Sequence, residues 1–190
     1  MEQQSKHNTT DLSLYSNSEF NQALPCRLKR ILWYYINAFI FNSSFFPFNK
    51  IKIKILRWFG AEVLSGVIIK PSVSIKYPWN LKIGKQVWIG ENVWIDNLVP
   101  VIIRSNVCIS QGAFLLTGNH NFSKPTFDLM TGKIILEDGC WIGAKAVVCP
   151  GVVCKSHSVL TVSSVATRDL DAWVIYQGNP AKPIKLRTIQ

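Results

Sequence analysis

Apolar residues return every six positions through the C-terminal half of this 190-residue chain, and that period excludes most folds. Leu136, Ile142, Val148, Cys154, Leu160 and Ala166 keep it without a slip. Four residues after most of them comes a second small or β-branched residue: Cys140, Ala146, Val152, Ser158 and Ser164. The same rule governs Ile83, Ile89 and Ile95 with Val87, Val93 and Val99, and then Ile103, Ile109 and Leu115 with Val107 and Ala113. A weaker first block holds Ile69, Val73 and Ile75. A helix needs apolar spacings of three and four, and an ordinary half-buried strand needs alternation sustained over its length. Here two inward residues flank one outward residue, as in Val87-Trp88-Ile89, and three polar or glycine positions then turn a corner. Three such sides close a triangular coil. One coil cannot bury its inner face, so coils must stack, and the pattern predicts a mainly β chain wound as a parallel β-helix.

The breaks in phase divide the chain. Between Ile75 and Ile83, and between Ile95 and Ile103, the spacing is eight, and each slip contains a proline, Pro78 or Pro100, as a bulged corner requires. A larger break runs over 116–133, where a loop leaves the coil. Long loops on a rigid repeat carry function. The expected organisation is a leader and helical segment over 1–62, the repeat over 63–177, and a basic tail over 178–190.

Within the leader, the stretch Leu28–Phe48 is aromatic and Lys50–Phe59 is basic and amphipathic. Asn37, Asn42, Ser43, Ser44 and Pro47 interrupt the apolar run, which is too short and too polar to span a bilayer. It reads as a helix packed on the coil or on another subunit, or as a peripheral membrane contact through residues 28–59 with Arg27, Lys29 and Arg30 near headgroups. The polar start of the chain lacks the order of a secretory signal. Five cysteines without a CxxC pair read as reduced thiols, with no disulfide frame and no metal site, in a cytoplasmic protein, with the inner face of the membrane as a further location. A formal net charge of +10 calls for an anionic partner: nucleic acid, a membrane surface, or a polyanionic small molecule such as coenzyme A.

Candidate chemistry centres on the break. Of three histidines, only His120, in Thr117-Gly118-Asn119-His120-Asn121, lies in the extruded loop; His7 is in the leader and His157 at a corner. A neutral imidazole suits removal of a hydroxyl proton during acyl transfer. No serine or cysteine sits in a nucleophile elbow, so direct attack is more economical than a covalent acyl-enzyme. Asn97, at an earlier phase break, reads either as a donor to the thioester oxyanion or as a turn asparagine. Asp128 is a candidate to orient the imidazole. After Gly178-Asn179-Pro180-Ala181, the side chains of Lys182, Lys185 and Arg187, with Arg168, read either as phosphate partners or as a solvated basic tail.

At these residues the sequence resembles the hexapeptide-repeat acyltransferases of left-handed parallel β-helix fold, and among them the colanic-acid-biosynthesis type of acetyltransferase. The resemblance includes Asp11-Leu12-Ser13, Ile75-Lys76-Tyr77-Pro78-Trp79-Asn80-Leu81, Val107-Cys108-Ile109-Ser110-Gln111-Gly112-Ala113, Thr117-Gly118-Asn119-His120 and Gly178-Asn179-Pro180-Ala181. It implies acetyl-CoA as acetyl donor, a homotrimer with active sites between subunits, and His120 as base. It places Asn97 near the acceptor, Trp141, Ala144, Val162, Thr167 and Arg168 along CoA, and Lys182 and Lys185 at its phosphates. The chain departs from the pattern at Arg104, where a repeat glycine is usual, and over Cys154–Ser164, which lacks the usual glycines.

The expected function is therefore an O-acetyltransferase acting on a sugar or saccharide hydroxyl in exopolysaccharide or cell-surface polysaccharide biosynthesis. N-acetylation of an amino sugar and a non-catalytic scaffold are the alternatives. Aromatic residues concentrated in the leader, away from any basic stacking surface, argue against nucleic acid.

Overall fold

The computed structural model describes residues 9–18, 20 and 25–190; His7 and most of the polar start of the chain lie outside them. From Glu62 onward the chain winds as a parallel β-helix whose short strands stack into three sheets. One sheet, here called A, begins with Glu62–Val63 and rises through Leu81–Ile83, Val101–Ile103, Ile134–Leu136 and Val153–Cys154. Sheet B carries Ile68–Ile69, Trp88–Ile89, Cys108–Ile109, Trp141–Ile142 and Val159–Leu160, and sheet C carries Ser74–Ile75, Trp94–Asp96, Phe114–Leu116, Val147–Val148 and Val165–Ala166. Pairing of Lys82 with Ile102 and of Ile135 with Val153 keeps like positions above one another.

The six-residue period becomes an interior column. Ile83, Ile89, Ile95, Ile103, Ile109, Leu115, Leu136, Ile142, Val148 and Leu160 are all buried, with Val87, Val93, Val107, Ala113, Cys140 and Ala146 beside them. Each full burial of a Val, Leu or Ile side chain contributes about 1.5–3 kcal/mol, which the stacking collects from every coil. The residue just before the second inward position turns left-handed, as at Gln86, Asn92, Asn106 and Lys145. In the late coils His157 (φ 61) and Ser163 (φ 54) adopt this corner conformation without glycine, so the coil stays regular there. Glycine is required for another reason at Gly143, where a Cβ would lie 2.7 Å from the Leu160 carbonyl oxygen of the next coil.

Both ends of the solenoid present strand edges that must be covered. Two helices, α1 (Arg27–Ile36) and α2 (Asn49–Trp58), close the first coil. Asn49 of α2 accepts from the Ile69 amide at 2.8 Å and donates to the Val67 carbonyl at 2.8 Å, standing in for a missing lower strand. Asn37, just after α1, accepts from the Ile75 amide at 3.0 Å, and the Trp33 indole donates to the Ile75 carbonyl at 2.9 Å. Trp33, Phe41, Leu56 and Phe59 join the core beneath. Among the described residues no helix is long and apolar enough to cross a membrane.

At the far end the basic tail is not a free exit. Val174–Gln177 extends sheet B, and Lys182–Leu186 returns antiparallel along it as the last strand. Arg187 is pinned to the coil, its guanidinium donating to the Gly139 carbonyl at 2.8 Å and the His157 carbonyl at 3.2 Å. Through Nη1 it therefore clasps the tail to the coil.

Candidate active site

The extruded segment is a β-hairpin. Gly118–His120 pairs antiparallel with Leu129–Thr131, placing His120 opposite Leu129. It leaves the coil at the corner between sheets C and A and is anchored by Thr117. That buried side chain donates to the Asp96 carbonyl at 2.7 Å, and the Thr117 carbonyl accepts from the Gly132 amide at 2.9 Å. At the root, a Cβ on Gly118 would stand 2.6 Å from a Leu98 methyl, so a larger residue there would displace that side chain.

The hairpin fixes the His120 ring from three directions. Its Nδ1 lies 2.8 Å from the Phe127 carbonyl oxygen. A carbonyl only accepts, so Nδ1 carries the proton and the neutral ring keeps its lone pair on Nε2. The ring stacks on Phe127 at 4.4 Å between centroids, and Tyr15 meets it edge-on at 5.6 Å. Phe127 itself holds a left-handed conformation (φ 49), a strained state for an aromatic residue that turns its carbonyl toward the imidazole. The leader reaches this point because the Asp11 amide donates to the Pro125 carbonyl at 2.9 Å.

The orienting group is thus a backbone carbonyl, which corrects the expectation for Asp128. The Asp128 carboxylate instead forms an ion pair with Lys124 at 3.0 Å. Hydrogen bonds from Thr126 and Lys124 hold its pKa below the usual carboxylate range.

Beside His120 lies a cavity of about 460 Å³, bounded among others by Tyr15, Lys76, Tyr77, Asp96, Asn119 and Leu129. Lys76 and Asp96 form an ion pair in its wall at 2.9 Å, with Asp96 nearly buried. Asn97 is placed differently from a donor facing the acceptor. It is fully buried, donates from Nδ2 to the Tyr77 carbonyl at 2.6 Å and accepts from the Tyr77 amide at 3.0 Å. Both ends of its amide are spent on holding the corner that carries Lys76 and Tyr77. The turn-asparagine alternative describes it, since the whole side chain is buried at this corner.

The cavity also contains residues that the reading by period passed over. Tyr15, Lys76 and Asp96 have no place in the inward pattern, and the only signal for the first two was their lying within or beside segments of the family resemblance.

The remaining expected residues fall into two groups. Thr167 and Arg168 are exposed at the corner between sheets C and A, on the same edge of the prism as the hairpin. Trp141 is half-exposed on sheet B, with its indole donating to the Ser110 hydroxyl at 2.9 Å. Ala144 and the exposed Val162 stack at the corner between sheets B and C, where the Ser163 amide donates to the Ala144 carbonyl at 2.9 Å. Lys182 and Lys185 project from the last strand of sheet B. A single chain therefore divides these side chains between different edges of the prism, with sheet C between them.

Comparison with known proteins places this geometry. No protein-family model matches the chain. It is 34% identical over 160 residues to the putative colanic acid biosynthesis acetyltransferase WcaF of Escherichia coli (strain K12), covering 84% of this chain and 88% of that protein. Galactoside O-acetyltransferase of the same organism is 28% identical over 128 residues, 66% of this chain and 63% of that protein. Among solved structures, a hexapeptide-repeat acetyltransferase from Vibrio cholerae O1 biovar eltor, complexed with acetyl coenzyme A, shares the fold. Its TM-score is 0.76 at 20% identity, over 85% of this chain and 88% of that one. Galactoside acetyltransferase in complex with coenzyme A also shares it, at TM-score 0.76 and 23% identity over 86% and 84% of the two chains. The chain that carries this six-residue solenoid and its histidine hairpin belongs to the hexapeptide-repeat acetyltransferases that include WcaF, and is an acetyl-CoA-dependent acetyltransferase.

Proposed function

We propose that the protein transfers acetyl from acetyl-CoA to a sugar hydroxyl, with His120 as general base. The observation that carries this reading is the His120 Nδ1 contact with the Phe127 carbonyl, which leaves Nε2 as the proton acceptor beside a polar cavity. The acceptor oxygen attacks the thioester carbonyl as its proton passes to Nε2. The carbon–sulfur bond then breaks, and the imidazolium returns the proton to the departing thiolate, leaving acetyl ester and free CoA. The cavity suits a polyhydroxylated acceptor: Asp96 accepts from hydroxyls, Lys76 donates to them, and Tyr15 and Tyr77 offer rings and hydroxyls. The names of WcaF and of galactoside O-acetyltransferase support a saccharide acceptor in polysaccharide biosynthesis. Thiol release from acetyl-CoA, measured across free sugars, nucleotide sugars, oligosaccharides and amino sugars, tests it. Release only with amines would replace oxygen by nitrogen as the acceptor.

Trp141, Ala144, Val162, Thr167, Arg168, Lys182 and Lys185 are proposed to hold CoA. Their division between separate edges supports a site completed by a second copy. In a closed three-fold ring, the hairpin edge of one subunit would face sheet B of its neighbour, also covering the exposed Trp88 and Trp141. Sedimentation equilibrium decides this: a monomer at micromolar concentration removes the shared site.

The helical cap supports a peripheral membrane contact. α1 has two apolar faces. Trp33 points into the core, while Leu28, Ile31, Leu32 and Tyr35, continued by Phe39, are exposed at spacings of three and four. Phe45 and Trp58 add rings 93% and 79% exposed. Residues 25–61 hold seven lysines and arginines and no carboxylate, so an anionic bilayer complements this face better than a second basic copy. Co-sedimentation with phosphatidylglycerol vesicles, weakened by Phe39→Ser with Phe45→Ser and by high salt, is the expected result. Equal recovery with neutral vesicles would refute it.

A further inference from the structure

A second cavity, of about 350 Å³, adjoins the first and shares Lys76 and Tyr77 with it. α1 forms one wall through Arg30 and Tyr34, and Trp94 of sheet C forms another. Its lining includes no carboxylate. The Arg30 Nε is buried there without a hydrogen-bond partner among the described residues. Leaving a buried donor of a permanent cation unpaired is costly, so the group calls for an acceptor from outside the chain, ordered water or a ligand. Among the described residues, nearby groups do not supply it. The Trp33 indole is bound to the Ile75 carbonyl, and the Asn37 amide is spent between the Ser74 hydroxyl at 3.2 Å and the Ile75 amide at 3.0 Å. Lys76 is ion-paired with Asp96 at 2.9 Å, and its ammonium carries three N–H groups, so it has donors for a further acceptor.

We propose that this cavity is a subsite for an oxyanion carried by the acceptor sugar, phosphoryl or carboxylate, bound by Arg30 and Lys76 while a hydroxyl of the same molecule lies beside His120. This rests on the sugar-transfer reading and deepens it: the preferred acceptor is an anionic saccharide. A guanidinium suits either group because its fork of donors matches two oxygens at once. Lys76 links the two cavities, so charge on the acceptor and presentation of its hydroxyl are read by one side chain.

Calorimetric titration of the full chain with glucose 1-phosphate, methyl glucuronide and methyl glucoside tests the proposal, alongside acetylation of each. At least one anionic probe should bind about ten-fold more tightly than the neutral glucoside, the size of one charge-assisted hydrogen bond. Which of the two does so identifies the group. Arg30→Gln should erase that preference and leave turnover of methyl glucoside unchanged, while Arg30→Lys, which keeps the charge without the fork, should retain part of it and controls for folding. Equal affinity for all three probes, or a preference that survives in Arg30→Gln, overturns the subsite. Acetylation of the neutral glucoside with no anionic preference overturns the subsite and leaves the transfer reading standing. An Arg30-dependent preference with no sugar acetylated keeps the anion site and overturns the transfer reading.

Discussion

Replacing His120 with asparagine separates the two jobs that its ring performs in the hairpin. The Nδ1 side donates to the Phe127 carbonyl at 2.8 Å, and an asparagine amide occupies nearly the same place with the same donor. The Nε2 side, proposed as the base, has no counterpart in asparagine. His120→Asn should therefore keep the hairpin closed while losing proton abstraction. Loss of a general base lowers the rate by roughly 10²–10⁴, or about 2.7–5.5 kcal/mol of transition-state stabilisation. His120→Ala should lose the same amount of kcat and, in addition, about 0.5–1.5 kcal/mol of stability from the broken hydrogen bond. Steady-state thiol release together with urea melts of both variants gives the two quantities independently. KM for acetyl-CoA should stay near the wild-type value in each, because the ring contacts Phe127 and Tyr15 and not the basic strand at Lys182–Leu186. If His120→Asn retains more than about a third of wild-type kcat, outside the range for a lost base, the assignment is wrong.

Three further outcomes follow from other parts of the molecule. Changing Lys182 and Lys185 together to alanine should raise KM for acetyl-CoA, less so in high salt and with the dephospho-CoA thioester; an unchanged KM would assign that strand to another partner. Ile142→Ala, at a fully buried position in the interior column, should cost about 2–5 kcal/mol in denaturant unfolding, and a loss below 1 kcal/mol would mean the column collapses around the gap. Lys52 is buried with its ammonium donating to the Lys70 carbonyl at 2.9 Å, and burial pushes its pKa below the ordinary lysine value. The unfolded chain then binds that proton more tightly than the folded one, so stability rises with pH between the folded and unfolded pKa values. Lys52→Met should remove that rise in urea melts taken on the alkaline side of neutrality, and an identical pH slope in both proteins would contradict the sign.

The solenoid was legible in the sequence because its cause is local and repeated. Every coil must bury the same two positions, so Ile83, Ile89 and Ile95 or Leu136, Ile142 and Val148 announce the inner column without knowledge of any distant contact. The extruded loop was legible for the same reason, as the place where that constraint lapses, whereas its pairing into a hairpin was not. Which side chains meet was decided by stacking and by the tertiary path of the leader. Coils lie about twenty residues apart in the chain, so the pairing of Asn97 with the Tyr77 backbone depends on register, and sequence left its amide open between oxyanion donor and turn. Tyr15 meets His120 where the Asp11 amide binds the Pro125 carbonyl, more than a hundred residues along the chain. Phe127, not Asp128, orients the imidazole because a left-handed backbone turns a carbonyl inward, a feature carried by no side-chain pattern. The clasp from Arg187 to the Gly139 and His157 carbonyls likewise joins positions far apart in the chain. Periodicity records what each residue must do to be buried. The site depends on which exposed groups the wound chain brings to one edge, and that is a property of the winding itself.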